Sequence, residues 1–352
     1  MTMDLDDLSA YASADPSDAL GAVERTPEQW GEAITRARAA EGLPRGEGIT
    51  GIIYCGMGGS GIAGDVLQAV AAQRGSVPVT VVKGYDLPAF AGPNTLVIAA
   101  SYSGNTEETL SCFDQAIAAK ARIVTITTGG KLAGFAQEHG LARISPVEGS
   151  QPRAALASLA VPTLVVAERL GLLRDMSADI AETHEALKAR VNELGRNAAG
   201  NEAKTLAARI DGKLPLVWGQ DGFLAVSAVR WRCQLNENAK VPAFSAVLPE
   251  LDHNELVGYD PGIPALQEIA LLVLRAPDEH PRVARRIDIT LGAMADRVSS
   301  VQHVHASSGS LLTQLMTSIL LGDFVSVYLG LMRGVDPTPV NVIEGLKKAL
   351  AG

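Results

Sequence analysis

From residue 49 the chain alternates short apolar runs with longer stretches in which apolar residues recur every three or four positions. "ITGIIYC" (49–55), "VPVTVVKG" (77–84), "TLVIAAS" (95–101), "ARIVTITT" (121–128) and "LARISP" (141–146) read as strands. "SGIAGDVLQAVAAQ" (60–73), "TEETLSCFDQAIAAK" (106–120) and the short "GFAQEHG" (134–140) read as helices, and an apolar helix follows near 153–171. This order predicts α/β architecture with a right-handed, doubly wound parallel sheet.

A second cycle begins near 206. "KLPLVWG" leads into the helix "GFLAVSAVRWRCQLNENA", "FSAVLPE" into "HNELVG", "IALLVLR" into "DEHPRVARRIDITLGAMADR", and "SSVQHVHA" into a long helix over 309–332. "PTPVNVIEGLKKAL" closes with a last helix, Pro337 and Pro339 suiting its loop and first turn. The expected organisation is an N-terminal helical arm over 1–45, an α/β domain over 46–173, a charged helical linker over 174–205, and a second α/β domain over 206–352.

A chain of 352 residues exceeds one ordinary core and accommodates two such domains. Its net charge of −9 offers no electrostatic footprint for nucleic acid or an anionic membrane. Cys55, Cys112 and Cys233 lie far apart, in no C-x-x-C pairing, which predicts neither a disulfide framework nor a thiolate metal site and fits a reducing cytoplasm. "MTMDLDDLSA" carries acids where a secretory signal would carry basic residues. The apolar segments "AALASLAVPTLVVA" and "GSLLTQLMTSILLG" stop at charges, short of the roughly 20 residues that span a bilayer, and read as buried core helices.

Candidate chemistry starts at "CGMGGSGIAGD" (55–65), whose Gly56, Gly58 and Gly61 form G-x-G-x-x-G after the first strand. A dinucleotide fold also needs an acidic residue ending the second strand. Here that strand ends in Lys83-Gly84-Tyr85, so the loop is either a tight βα turn of small residues or a site for another ligand. The next βα loop, "SYSGNTEET" (101–109), crowds Ser101, Ser103, Asn105 and Thr106 around one glycine at a helix start. Hydroxyls and unpaired N–H groups at a helix N-terminus suit a phosphate monoester. The same Ser and Thr residues would also serve as plain N-caps. No Walker lysine is present.

"GMGGSG" and "SYSGNTEET", with "NENAK" (236–240) and "DHNE" (252–255), resemble the SIS (sugar isomerase) domain proteins, and within them the bifunctional phosphoglucose/phosphomannose isomerases, over residues 45–350. The resemblance implies two tandem SIS (flavodoxin-like) domains, each a parallel sheet flanked by helices. It implies an intramolecular oxidoreductase, acting without cofactor or metal, that converts glucose 6-phosphate and/or mannose 6-phosphate to fructose 6-phosphate through an enediolate. Gly59, Ser60, Ser101, Ser103, Asn105 and Thr106 would bind the phosphosugar. Glu237 would be the base moving the C1/C2 proton, with Asn236 and Asn238 able to position it. His253 would open the sugar ring, reaching its site from a neighbouring subunit of an obligate homodimer. Arg153 would stabilise the enediolate, and Lys347, or the adjacent Lys348, would lie near the ring-opening site.

A threonine near the C-terminus is credited in that family with admitting both hexoses; Thr338 is a candidate beside Thr313 and Thr317. His303 and His305 form an H-x-H on one face of a strand, where a polar strand-end pair is favoured over a metal. Glu107 and Glu108 would repel phosphate and are expected to face away. A phosphosugar sensor without turnover is the competing class, but Glu237, His253 and Arg153 together are superfluous in a sensor. The synthase half of an amidotransferase would need a glutaminase domain with an N-terminal Cys.

Overall fold

The computed structural model describes residues 3–149, 151–260 and 262–350. In chain order, α1 (Tyr11–Ala14), α2 (Ala19–Glu24) and α3 (Thr26–Arg38) precede β1 (Gly51–Cys55), α4 (Gly58–Arg74), β2 (Val79–Val82), β3 (Thr95–Ala100), α5 (Glu107–Ala118), β4 (Arg122–Ile126), α6 (Gly130–Glu138), β5 (Ala142–Ile144) and α7 (Leu156–Arg169). Then come α8 (Ser177–Leu194), α9 (Glu202–Ile210), β6 (Leu214–Gln220), α10 (Phe223–Asn238), β7 (Phe244–Leu248), β8 (Ile269–Arg275), α11 (Pro281–Met294), β9 (Ser300–His305), α12 (Leu311–Met332) and α13 (Asn341–Leu350). "HNELVG" forms a turn of 3-10 helix over Glu255–Gly258.

The chain divides into two compact units. The first comprises Arg25–Lys188 and Gly309–Leu315. Its parallel sheet runs in the order β2-β1-β3-β4-β5, and β1 and β3, buried along their whole length, lie at its centre. Cys55 and Cys112, 57 positions apart in sequence, enter the same core beside Ile53, Val97 and Phe113. The strand order changes direction at β1/β3, so the crevice beyond their C-terminal ends is the place where this architecture binds ligands.

The second unit comprises Met1–Glu24, Ala189–Ser308 and Met316–Gly352. Its parallel sheet runs β7-β6-β8-β9, with Trp218, Leu271 and Val273 in the core.

This division differs from the expected arm and linker. Arg196 pairs with Glu24 and Asp18, and the buried Lys204 with Asp6, which fastens the first 24 residues to the second unit. In α3, by contrast, the buried Trp30 donates Nε1–H to Ile180 O at 3.1 Å within the first unit. At α12 the long buried helix expected over 309–332 is present. The helix has 22 residues and is long and apolar enough to cross a membrane by length and composition, yet its most apolar window is wholly buried within the chain. Asp323, Gln314 and several hydroxyls interrupt it.

Candidate active site

In the first unit the β1 and β3 loops meet. Met57 is extended (φ −118°, ψ 153°) and starts α4 without a side-chain cap. Ser60, one turn in, is buried, and its Oγ accepts the Tyr102 N–H at 3.1 Å, tying the glycine loop to the hydroxyl-rich loop. Tyr54 on β1 donates its hydroxyl to Ser60 O at 2.8 Å and fixes the turn from beneath.

In the second loop Ser101, wholly buried, shares a hydrogen bond of 2.8 Å with Thr106 Oγ1, and its Oγ also accepts the Gly104 N–H at 3.0 Å. Gly104 has φ +71°, and a Cβ there would lie 1.8 Å from Gly129 O, so only glycine fits. Asn105 accepts the Lys131 N–H through Oδ1 at 3.0 Å, and its own N–H reaches Ser103 Oγ at 3.3 Å. Thr106 occupies the N-cap of α5 but makes no side-chain capping bond. Of the two readings left by the sequence, the plain N-cap therefore fails at Thr106. The first turn of α5 presents N–H groups that its own N-cap side chain leaves open, beside a hydroxyl pair, which is a ready cradle for a dianion. Glu107 is exposed and accepts the Tyr85 hydroxyl at 3.4 Å.

Arg153 is buried in a 3-10 turn, Pro152–Ala154, leading to α7. That turn presses on the glycine loop so tightly that a Cβ at Gly59 would sit 2.4 Å from Pro152 O and 3.0 Å from Arg153 N. Gly59, Ser60, Ser101, Ser103, Asn105, Thr106 and Arg153 thus belong to one neighbourhood of one unit.

Glu237, His253 and Lys347 belong to the second unit. Glu237 is half-buried in the last turn of α10. Its flanking asparagines fasten the helix end: Asn236 donates to Arg232 O at 2.9 Å and accepts the Ala243 N–H at 3.1 Å, while the buried Asn238 donates to Ser326 Oγ at 2.9 Å. His253 ends a 3-10 turn, Glu250–His253, beyond β7. Leu251 anchors this turn in the core and Asp252 accepts Thr290 Oγ1–H from α11 at 3.0 Å, which leaves the imidazole exposed. Lys347 and Lys348 are exposed on α13.

The second unit keeps Glu237 and His253 apart. β6 and β7 are parallel, so α10 must carry the chain back from the C-terminal edge of the sheet to its N-terminal edge. Glu237 comes at the end of that return, and His253 only after β7 has recrossed the sheet, about 13 Å for its five residues.

The remaining sequence candidates separate by burial. Thr313 and Thr317 are buried in α12, whereas Thr338 is half-buried in the loop before α13, its N–H bonded to Asp336 Oδ1 at 2.9 Å. His303 and His305 both lie on the solvent-facing side of β9, where partial loss of hydration holds His303 below its ordinary value, with the Arg275 charge assisting. Among the described residues no cluster of three or more His, Cys, Asp or Glu side chains is arranged to hold a metal. Sequence reasoning missed the Arg230–Asp323 pair inside the second unit and the role of Lys240 at the end of α10. Lys240 had a local signal: it follows a helix C-terminus where glycine is usual.

The bacterial phospho-glucose isomerase C-terminal SIS domain family matches residues 199–350. A bifunctional phosphoglucose/phosphomannose isomerase of Caldicellulosiruptor bescii is 39% identical over 336 residues, covering 94% of this chain and 98% of that protein. One of the same name from Aquifex aeolicus is 36% identical over 85% of this chain and 90% of its own. Among solved structures, the C-terminal domain of glucosamine-fructose-6-phosphate aminotransferase from Francisella tularensis shares the fold, with TM-score 0.69 at 18% identity over 90% of this chain and 97% of that one. With two parallel sheets flanked by helices and near full-length similarity to these relatives, the chain belongs to the bifunctional phosphoglucose/phosphomannose isomerase family.

Proposed function

We propose that this chain isomerises glucose 6-phosphate and mannose 6-phosphate to fructose 6-phosphate, without a metal, as a cytoplasmic homodimer. The observation that carries the reading is the α5 N-terminus left open by Thr106, lined by Ser101 and Ser103 and flanked by Ser60 and Arg153, in a chain 39% identical to a protein named for both isomerisations. The turn 101–106 holds the phosphate through N–H and O–H donors.

The sugar ring opens as His253 protonates the ring oxygen and takes up the proton that the C1 hydroxyl gives up, with Lys347 nearby as a fixed positive charge. Glu237 then removes the C2 proton and returns it to C1, while the proton on the C2 hydroxyl passes to the C1 oxygen. Charge builds on the enediolate oxygens between these steps, and the Arg153 guanidinium balances it. Both hexoses differ only at C2 and pass through the same enediol, so one base serves both.

The opposite placement of Glu237 and His253 supports the dimer. A sugar served by both takes its carboxylate from one copy and its imidazole from another. A non-catalytic sensor explains the 101–106 turn but gives no reason for this acid/base set, and the relatives are named as isomerases.

The test is a coupled assay for fructose 6-phosphate from each hexose 6-phosphate, with and without EDTA. Turnover of both, unchanged by EDTA, is expected. Absence of product from either sugar defeats the isomerase reading, and loss of turnover on chelation defeats the metal-free one.

A further inference from the structure

Lys240 adopts a left-handed backbone (φ +55°), which it shares with only Asp18 and Lys120 among the described non-glycine residues. A helix that ends this way normally places glycine at that position, because a Cβ is strained there. Glycine would cost less in the backbone, so the side chain has to account for the lysine. Its ammonium donates to Glu237 O, in the last turn of α10, and to Pro337 O at 3.0 Å. Pro337 and Thr338 lie within the loop 333–340 that leads to α13 and Lys347. One cation therefore joins the backbone of Glu237 to the root of the C-terminal segment. The other side of the same helix end is already fixed. Asn238 donates to Ser326 Oγ, and α12 approaches so closely that a Cβ at Gly330 would lie 2.7 Å from Asn238 O.

We infer that Lys240 is a positioning residue, the tether that holds Glu237 and the 336–340 loop in one fixed arrangement. This inference rests on the isomerase reading for its effect on turnover but not for the tether itself. Lys240→Gly is the discriminating variant, because glycine accepts the left-handed backbone and only the ammonium is lost. Lys240→Arg keeps a donor and a charge.

Two measurements on the full-length protein decide the matter. Amide hydrogen exchange over 336–350 is expected to quicken in Lys240→Gly and to return toward the wild type in Lys240→Arg. With either hexose 6-phosphate, Lys240→Gly is expected to lower kcat about 10- to 100-fold, as for a reacting group displaced by about 1 Å, with KM within about twofold. A purely structural lysine would instead lower thermal stability and leave kcat intact. Exchange at 336–350 identical to the wild type overturns the tether. Faster exchange with unchanged kcat overturns its positioning role. If the wild-type chain turns over neither sugar, the isomerase reading fails separately and the exchange result still judges the tether.

Discussion

Thr106 Oγ1 lies 2.8 Å from Ser101 Oγ, and in making that bond Thr106 leaves the helix it begins without a side-chain cap. A helix start whose hydroxyl bonds a neighbouring serine rather than its own N–H groups leaves those groups to water or to an external acceptor, the proposed phosphate. Ser101→Ala removes one hydroxyl of this pair and the acceptor for the Gly104 N–H. It is expected to weaken phosphosugar binding by about 1–2 kcal/mol, or about 5- to 30-fold in KM, with a smaller effect on kcat. Steady-state kinetics and inhibition by inorganic phosphate measure this. A KM at the wild-type value would remove the turn from the binding site.

Gly59 faces the backbone of Pro152 and Arg153 with no room for a methyl group. Gly59→Ala must push the 152–154 turn away and carry Arg153 with it. The expected cost is about 1–3 kcal/mol in stability and about 100-fold in kcat. Full activity at reduced stability would mean that Arg153 stands outside the reacting centre.

Glu237 and His253 come at opposite edges of one sheet, so in the proposed mechanism a sugar served by both takes them from two copies. Glu237→Gln is expected to abolish solvent proton exchange at C2 while sugar-phosphate binding stays within a few-fold, and His253→Ala to block ring opening. Mixing the two inactive proteins under subunit exchange should restore about a quarter of wild-type activity, because half of the dimers are mixed and each mixed dimer carries one intact pair. No recovery in proven mixed dimers would refute shared sites.

Arg230 and Asp323 form a buried bidentate pair, Nε to Oδ1 and Nη2 to Oδ2 both at 3.0 Å, linking α10 to α12. Asp323→Ala takes the carboxylate from a buried guanidinium and is expected to lower stability by about 3–5 kcal/mol, whereas Arg230→Met combined with Asp323→Leu costs little or nothing. Calorimetry of the single and double variants decides this. Equal losses in both would show that the charges themselves stabilise the fold.

Glu182 on α8 accepts the Ser310 N–H at 2.9 Å and the Thr313 hydroxyl at 3.1 Å, at the start of α12. Hydrogen bonds from Ser310, through hydroxyl and backbone, hold its carboxyl below the ordinary glutamate range. A lowered carboxyl contributes stability above that range, about pH 4.3, and loses it as the pH falls through the folded-state value. Glu182→Gln is therefore expected to unfold at lower urea than the wild type at pH 7, with the gap closing toward pH 3. A gap of constant size across that interval would contradict the assignment.

Much of the fold was legible in the sequence because its signals are local. Apolar runs such as 51–55 and 95–100 are strands buried on both faces, and the glycine and hydroxyl loops follow them directly. Thr106 was legible as a helix start, but not as a helix start without a cap, since its partner Ser101 is fixed by the turn at Gly104 and by the close passage of Gly129. The N-terminal arm read as one element because helical periodicity says nothing of what a helix packs against. Trp30 and Arg196 divide it by contacts with residues 150 or more positions away.

The amino-acid sequence by itself determined the βα alternation, the family and the residue types able to bind and isomerise a phosphosugar, all consequences of periodicity and short motifs. Only the tertiary structure decided that Glu237 and His253, 16 residues apart, lie across a sheet from one another, and that Lys240 joins Glu237 to Pro337. Strand pairing and long-range hydrogen bonds set those distances, and neither is encoded by the spacing of residues along the chain.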